Sequence, residues 1–233
     1  MDTPNYKSSN EKLNLYIDLD GTILDISEKY YRIYSDTIIS LGYDLLSKEK
    51  YWQLKKEKRQ EEDIAKMSGI NETAIFKYYN KEWQSKIESL KYLEYDKLIP
   101  NAVKTLKNLK KFNRIVLVTL RKSQINLYKE LERLNIVSLF DGILIGKGAG
   151  EQWEIKAKLV ESDNAFEKKK SVIIGDTEVD IRAGKKLGIK TIAVLSGIRR
   201  KSMLLVERPD YIINNINKLP IIIKQIQAKE EEK

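Results

Sequence analysis

The chain has 233 residues, 42% of them hydrophobic, which is enough to build a core and excludes a wholly disordered chain. It contains no cysteine and no histidine, so disulfides, thiolate or imidazole metal sites and a Ser-His-Asp triad are all excluded. The formal net charge of +9 favours anionic partners such as phosphates, nucleic acid or acidic lipid, without choosing among them.

A short apolar run at residues 13–17 predicts a first strand that ends at Asp18. Residues 27–98 are charged, carry apolar residues at helical spacing and have no strand pattern, which predicts an all-helical segment. From residue 99 onward, short β-branched runs alternate with amphipathic stretches. The predicted strands there are 115–119, 142–145, 171–175, 191–195 and 211–213, and the predicted helices are 102–111, 123–134, 156–162 and 181–187.

This alternation is typical of βαβ crossovers and predicts an α/β fold with a mostly parallel sheet flanked by helices. We expect a core made of residues 1–26 and 99–233, with residues 27–98 inserted as an all-helical domain after the first strand. In open parallel sheets, ligands bind beyond the carboxyl ends of the strands. The candidate functional residues are therefore those that follow strands.

The first strand is followed by two carboxylates, Asp18 and Asp20, and then by Gly21. Strand periodicity places both carboxylates on the same side, where their like charges need a cation, a shared proton or hydrogen-bond donors. The alternative interpretation is a polar exit from a strand into a turn, because Asp and Gly are common turn residues.

Two later strands also end in oxygen-bearing side chains. Thr119 ends one of them, and Asp176 follows another, with Asp180 four residues further on. Each has a structural alternative: Thr119 as an ordinary β-branched strand residue, Asp180 as the N-cap of a helix starting at residue 181. Three strand ends with carboxylates and a hydroxyl together form a set that can hold Mg²⁺ and leave room for a phosphate oxygen.

The segments YIDLDGTILD, VLVT and GDTEVD occur in this order, each around a predicted strand end. They resemble the motifs of the haloacid dehalogenase (HAD) superfamily, and within it the phosphoglycolate phosphatase-like branch. The resemblance implies a Rossmann-like core and a helical cap of the first type, which would be the segment 27–98. It also implies a phosphatase that hydrolyses a small phosphomonoester through an aspartyl-phosphate.

Carried over to this sequence, the resemblance implies Asp18 as the nucleophile and Asp20 as the acid and base. Mg²⁺ would be held by Asp18, the backbone carbonyl of Asp20, and Asp176, with Asp180 binding through water or orienting the site. The Thr119 hydroxyl would bind the phosphate.

The family also requires a lysine that pairs with the phosphate and the nucleophile. Lys156 opens a stretch that resembles the family pattern, and Lys158 and Lys147 are the alternatives. In the helical insert, Arg59 belongs to a basic cluster at residues 55–59 and is a candidate substrate contact, although the cluster also fits a solvated helix face.

The sequence leaves other functions open. A phosphotransferase or mutase of the same fold would use the same residues, and a non-catalytic HAD-like protein would bind a partner. Segment 61–79 is spaced like a DNA-binding helix-turn-helix, but it is acidic where phosphate contacts should be basic, so we do not expect nucleic acid as a partner.

Two further expectations concern the whole molecule. No apolar run is long enough to span a bilayer, and residues 1–12 are polar where a signal peptide needs an apolar run. We therefore expect a cytoplasmic protein, monomeric or weakly dimeric, with a small phosphorylated metabolite as its substrate.

Overall fold

The structure of the protein is a computed structural model that describes residues 12–231. Residues 1–11, which make up most of the polar N-terminal segment discussed above, lie outside the described residues, as do residues 232 and 233.

The strands in the described range are β1 (Asn14–Ile17), β2 (Leu24–Asp25), β3 (Lys97–Leu98), β4 (Arg114–Thr119), β5 (Gly142–Ile145), β6 (Ser171–Gly175), β7 (Lys190–Val194) and β8 (Tyr211–Ile213). Six of them form one sheet in the order β5-β4-β1-β6-β7-β8, and every neighbouring pair is parallel. A separate antiparallel pair joins β2 and β3. The predicted α/β fold with a mostly parallel sheet is confirmed.

Five helices lie between β2 and β3: α1 (Ser27–Ser40), α2 (Lys48–Lys56), α3 (Glu61–Met67), α4 (Thr73–Lys86) and α5 (Leu90–Leu93). The helices of the second part are α6 (Ala102–Lys110), α7 (Gln124–Arg133), α8 (Gln152–Glu161), α9 (Glu178–Leu187), α10 (Lys201–Val206) and α11 (Leu219–Glu231). Short 3-10 helices occupy Val137–Leu139, Lys168–Lys170 and Ile216–Lys218. Within residues 12–231, no helix is both long and apolar enough to cross a membrane.

Two predicted helices begin one turn earlier than expected. Helix α8 begins at Gln152 instead of residue 156, and α9 begins at Glu178 instead of residue 181. Both first turns mix polar and apolar residues, at 152–155 and 178–180, so the apolar periodicity used for prediction is clear only from the second turn.

The sheet is buried on both faces, because successive apolar side chains of its central strands point alternately to the two faces. Leu15 and Ile17 of β1 pack on one face with the cluster that contains α6, α7 and α11, while Tyr16 packs on the other face with α8 and α9. Two-sided burial is typical of parallel sheets covered by helices.

Helices α1 to α4 bury a hydrophobic cluster of their own, separate from the clusters of the sheet. Its largest members are three tyrosines, Tyr34, Tyr51 and Tyr79, each fully buried. The expectation of an all-helical insert is wrong in one detail, because Lys97–Leu98 forms β3 and pairs with β2. This pair brings the two ends of the insert side by side, and a two-residue strand leaves too short a pattern to detect in the sequence.

Candidate active site

The parallel register gathers the predicted residues at one edge of the sheet. Ile17 pairs with Leu117 on one side and with Ile174 on the other, so the residues just beyond them converge. A cavity of about 240 Å³ opens there, and its lining includes Asp18, Asp20, Thr119, Lys156 and Asp176. The structure therefore brings five of the predicted site residues together.

Lys156 is the lysine that contacts the predicted nucleophile. Its Nζ donates hydrogen bonds to Asp18 Oδ1 at 2.6 Å and to Asp180 Oδ1 at 2.5 Å, and only 3% of the residue is exposed. Burial alone would lower its pKa, but the two carboxylates outweigh burial and raise the pKa, so the side chain is a stable cation. The alternatives, Lys158 and Lys147, are exposed.

Asp180 lies inside the first turn of α9 rather than capping a helix that starts at residue 181. Thr177 is the N-cap, and Asp180 Oδ2 accepts hydrogen bonds from the Thr177 backbone N–H at 3.1 Å and its hydroxyl at 2.8 Å. This is a capping box with Asp at the third position. Because its other oxygen contacts Lys156, Asp180 has both oxygens engaged and orients the lysine.

Asp176 is held in a cradle of glycines. Its Oδ2 accepts a hydrogen bond from the Ile198 backbone N–H at 2.7 Å. An ideal Cβ placed on Gly21 would lie 2.3 Å from that oxygen, and one on Gly197 would lie 1.8 Å from it. Gly21 also has φ +78°, a conformation that L side chains rarely adopt. Both loops therefore need glycine so that the backbone can approach the carboxylate.

The carboxylates of this edge carry more negative charge than Lys156 can balance. Burial raises the pKa of Asp18 to about 7, opposed by Lys156 and reinforced by Asp180 and Asp20. Burial, together with Asp18 and Asp180, also raises the pKa of Asp176 well above its usual range. A bound cation would offset the free-energy cost of ionising these buried carboxylates, because an opposite charge favours their ionised forms.

The donor set fits Mg²⁺ better than a metal bound entirely by protein side chains. In residues 12–231, no three acidic side chains lie close enough together to hold a metal ion. Mg²⁺ commonly uses one or two carboxylates and completes its shell with water and substrate phosphate. Asp18 Oδ2 and Asp176 Oδ1, which accept no hydrogen bond among the described residues, are the available carboxylate oxygens.

The Asp20 carboxylate contacts different side chains from those that contact Asp18. Arg121 donates to both of its oxygens, from Nε to Oδ2 at 2.7 Å and from Nη2 to Oδ1 at 2.6 Å, and Lys29 Nζ lies 3.4 Å from Oδ1. Burial opposes ionisation, but these two cations outweigh it and lower the pKa of Asp20. The two aspartates of the first motif therefore have pKa values that are shifted in opposite directions.

Arg121 and Lys29 are site residues that the sequence analysis missed. Arg121 lies two positions after Thr119, and its backbone N–H contacts the Thr119 hydroxyl at 3.3 Å. Its position just beyond a strand end is a signal that could have identified it. Lys29 is in the first turn of α1, and no pattern separates it from the many other lysines of the chain.

Arg59 is not among the residues that line the cavity. Its side chain is 56% exposed and lies 3.7 Å from Glu57, and its role as a substrate contact stays a prediction. The neighbouring Lys55 packs over the rings of Tyr30 and Trp83 and pairs with Glu61. The basic cluster is therefore largely balanced by local partners.

The helix-turn-helix-like segment is a compact helical corner. Gly69, between α3 and α4, has φ +96°, which explains the glycine at the bend. Ile64, Ala65 and Tyr79 of this segment are buried in the cluster of the insert. The spacing of its small and apolar residues thus follows from packing between helices.

A family model described as haloacid dehalogenase-like hydrolase matches residues 16–194, which is more than half of the chain. The chain belongs to this family of hydrolases. The match runs from β1 to β7 and includes the ends of β1, β4 and β6, where the predicted motifs lie. The resemblance inferred from those motifs is therefore confirmed.

Two curated relatives of this HAD-like hydrolase are phosphatases. The phosphoglycolate phosphatase of Aquifex aeolicus (strain VF5) is 28% identical over 193 residues, which cover 78% of this chain and 84% of the relative. The glyceraldehyde 3-phosphate phosphatase of Methanocaldococcus jannaschii is 29% identical over 131 residues, which cover 55% and 57%. The prediction of a HAD-like phosphatase is confirmed at this level.

Solved structures share the fold at lower sequence identity. A haloacid dehalogenase-like family protein from Streptococcus pneumoniae has a TM-score of 0.73 and 19% identity, with 91% of this chain and 98% of that chain covered. A predicted phosphoglycolate phosphatase from Haemophilus somnus has a TM-score of 0.71 and 19% identity over the same shares. These matches support the HAD fold alone.

Proposed function

We propose that this HAD-like hydrolase cleaves a small phosphomonoester with Mg²⁺ through an aspartyl-phosphate on Asp18. The observation that carries the proposal is that one cavity at the edge of the sheet is lined by Asp18, Asp20, Thr119, Lys156 and Asp176. Asp18 faces Lys156 and the acidic edge, whereas Asp20 is held by Arg121 and Lys29.

In the first step, Asp18 Oδ attacks phosphorus and the bond between phosphorus and the leaving oxygen breaks. Asp20 gives a proton to that oxygen, so the product leaves as a neutral alcohol. Lys156 holds Asp18 in place and offsets negative charge as the phosphate approaches. The Thr119 hydroxyl, buried at the end of β4, binds a phosphoryl oxygen.

In the second step, water attacks phosphorus of the aspartyl-phosphate and the bond between phosphorus and Asp18 breaks. Asp20, now ionised, takes the proton of the attacking water, which restores both side chains and releases inorganic phosphate. Asp18, Asp176 and the backbone carbonyl of Asp20 would hold Mg²⁺, with Asp180 acting through Lys156 or water. When bound, the ion supplies charge neutralisation at the phosphoryl oxygens.

We also propose that residues 27–98 act as a cap over the cavity. Ile26, Lys29 and Tyr30 line it from the first linker and α1, and Ile87 and Glu88 line it from the α4–α5 connection. A cavity of about 240 Å³ suits a small phosphorylated metabolite. The predicted monomer or weak dimer and the predicted cytoplasmic location stay predictions.

The test is hydrolysis of p-nitrophenyl phosphate with Mg²⁺ and after EDTA treatment. We expect metal-dependent turnover that Asp18→Asn abolishes. The matched control Asp163→Asn should preserve it, because the Asp163 carboxylate is paired with Arg114 away from the cavity. Acid quench during turnover should leave a phosphoryl group on the wild-type chain and none on the Asp18→Asn variant.

Retained turnover by Asp18→Asn would contradict the proposal. A panel with phosphoglycolate, glyceraldehyde 3-phosphate and sugar phosphates then identifies the substrate. Transfer of the phosphoryl group to a second sugar in place of water would identify a mutase.

A further inference from the structure

Tyr30, on α1 of the insert, lines the same cavity as Asp18, Asp20 and Asp176. Its hydroxyl forms no hydrogen bond with any residue in the range 12–231. It is also not one of the unpartnered polar atoms that are sealed inside the protein, so it is accessible from the cavity. Because a largely buried tyrosine hydroxyl usually has a hydrogen-bond partner, this one is available to a ligand of the cavity.

The neighbouring tyrosines of α1 use their hydroxyls within the fold. Tyr31 donates a hydrogen bond to the backbone carbonyl of Leu46 at 3.1 Å. Tyr34 accepts one from the backbone N–H of Leu46 at 2.8 Å, and its hydroxyl lies 2.6 Å from that of Ser68. The hydroxyl of Tyr30 has no such contact, so packing of the insert does not explain why this position has tyrosine instead of phenylalanine.

The ring of Tyr30 is nevertheless held in place by the insert. It packs edge-on against Trp83, with ring centroids 5.3 Å apart, and against Trp52, with centroids 6.0 Å apart. The Nζ atoms of Lys55 and Lys29 lie 5.5 Å and 5.9 Å from its centroid. Aromatic and cation–π contacts of this kind restrict the ring, so its hydroxyl is presented to the cavity in a fixed direction.

This hydroxyl is a hydrogen-bond donor on the side of the cavity that the insert forms. Burial and the nearby carboxylates of Asp20 and Asp176 raise the pKa of Tyr30, so the hydroxyl keeps its proton. The groups proposed above to bind the phosphoryl group, such as Thr119, belong to the core. In an in-line displacement the leaving oxygen lies opposite the nucleophile, so the leaving group extends away from Asp18 and toward the insert.

We propose that the Tyr30 hydroxyl donates a hydrogen bond to an oxygen of the leaving group. The hydrolase then selects phosphomonoesters whose leaving group carries a hydroxyl, carbonyl or carboxylate oxygen close to the ester bond. This inference rests on the proposed function, in which Asp18 is the nucleophile. A site that hydrogen-bonds a polar group of its substrate discriminates against an analogue without that group, because the donor of the protein is then left unpaired.

The test compares kcat/KM for 2-hydroxyethyl phosphate and propyl phosphate, two esters of similar size that differ in a terminal hydroxyl or methyl group. The ratio of the two values is independent of the fraction of protein that is folded. We expect Tyr30→Phe, which keeps the ring and removes the hydroxyl, to lower this ratio by about tenfold, the effect of one hydrogen bond of ordinary strength. The kcat/KM for propyl phosphate should not fall.

Tyr31→Phe is the matched control, because it makes the same change at the next residue. It removes the hydrogen bond to Leu46, so it should lower the free energy of unfolding and leave the ratio unchanged. Tyr30→Phe should give the opposite pattern, with a lower ratio and an unchanged free energy of unfolding. Urea unfolding of both variants measures the second quantity.

An unchanged ratio in Tyr30→Phe would overturn the inference, and a parallel fall of both kcat/KM values would instead indicate a contact with the phosphoryl group. A loss of stability equal to that of Tyr31→Phe would also overturn it, because the hydroxyl would then serve the fold. So would wild-type protein that hydrolyses p-nitrophenyl phosphate but not 2-hydroxyethyl phosphate. Failure of the proposed function would be visible separately, as wild-type protein that turns over none of the three esters or as turnover that survives Asp18→Asn.

Discussion

Replacing Asp18 by asparagine is expected to abolish turnover and, at the same time, to stabilise the metal-free protein. Burial raises the pKa of Asp18 to about 7, from about 3.9 in an unfolded chain. For an acid, a raised pKa in the fold means that ionisation costs stability, and this cost grows as the pH rises from about 4 to about 7. At about 1.4 kcal/mol for each pKa unit, the cost at pH 8 reaches at most about 4 kcal/mol.

Asparagine removes the charge but keeps an oxygen that can accept from Lys156. We therefore expect Asp18→Asn to raise the free energy of unfolding by about 2–4 kcal/mol at pH 8 and to leave it nearly unchanged at pH 4. Urea unfolding in EDTA at both pH values, followed by circular dichroism, measures this difference. The control is Asp163→Asn, which should destabilise at pH 8, because Arg114 outweighs burial and lowers the pKa of Asp163. A gain of equal size at pH 4 and pH 8, or a loss at pH 8, would refute the reasoning.

Three further outcomes follow from contacts around the cavity. Burial disfavours the charged form of Glu178, but Arg199 outweighs burial and lowers the pKa of Glu178 to about 2. Glu178→Gln should therefore lower the free energy of unfolding by about 1–2 kcal/mol at pH 7 and by nothing near pH 2. Acid unfolding curves of both proteins measure this, and a difference that stays constant with pH would contradict it. Gly197→Ala should displace Asp176 and reduce kcat/KM about 100-fold at saturating Mg²⁺, and wild-type activity would contradict the cradle described above. Glu88→Ala removes the acceptor of two backbone N–H groups at the start of α7 and should lower the free energy of unfolding by about 1 kcal/mol. Urea unfolding measures this change. An unchanged midpoint would show that water replaces the Glu88 carboxylate as the acceptor.

The site residues that the sequence predicts best are those that lie at the ends of strands. Asp18, Thr119 and Asp176 each follow or end a short apolar run, and parallel pairing alone is sufficient to bring them together. Lys156 was the preferred lysine because the amphipathic pattern after it resembles the family's pattern, and the structure places it against Asp18.

The buried contacts of Arg121 with Asp20, Asp96 and Glu130 could not be predicted in the same way. Asp96 and Glu130 are two of 34 acidic residues, and their burial depends on how α7 and the end of the insert pack together. A sequence pattern reports the periodicity of one element but not the pairing of charges between distant elements. The early start of α9 was missed for a related reason, because its first turn is defined by polar contacts such as the Thr177 capping box.

The central position of β1 has a consequence for the order in which this protein can fold. Asn14 pairs with Arg114 on one side and with Ser171 on the other, so β1 lies between two strands that are synthesised much later. During synthesis, β1 has no sheet partner until the whole insert and α6 have followed it out of the ribosome. Contacts so distant in sequence close large loops, which slows folding and prolongs the exposure of an apolar strand. The buried cluster of the helical insert is local in sequence, so the insert can fold first. Part of the nascent chain is then already folded while β1 has no sheet partner.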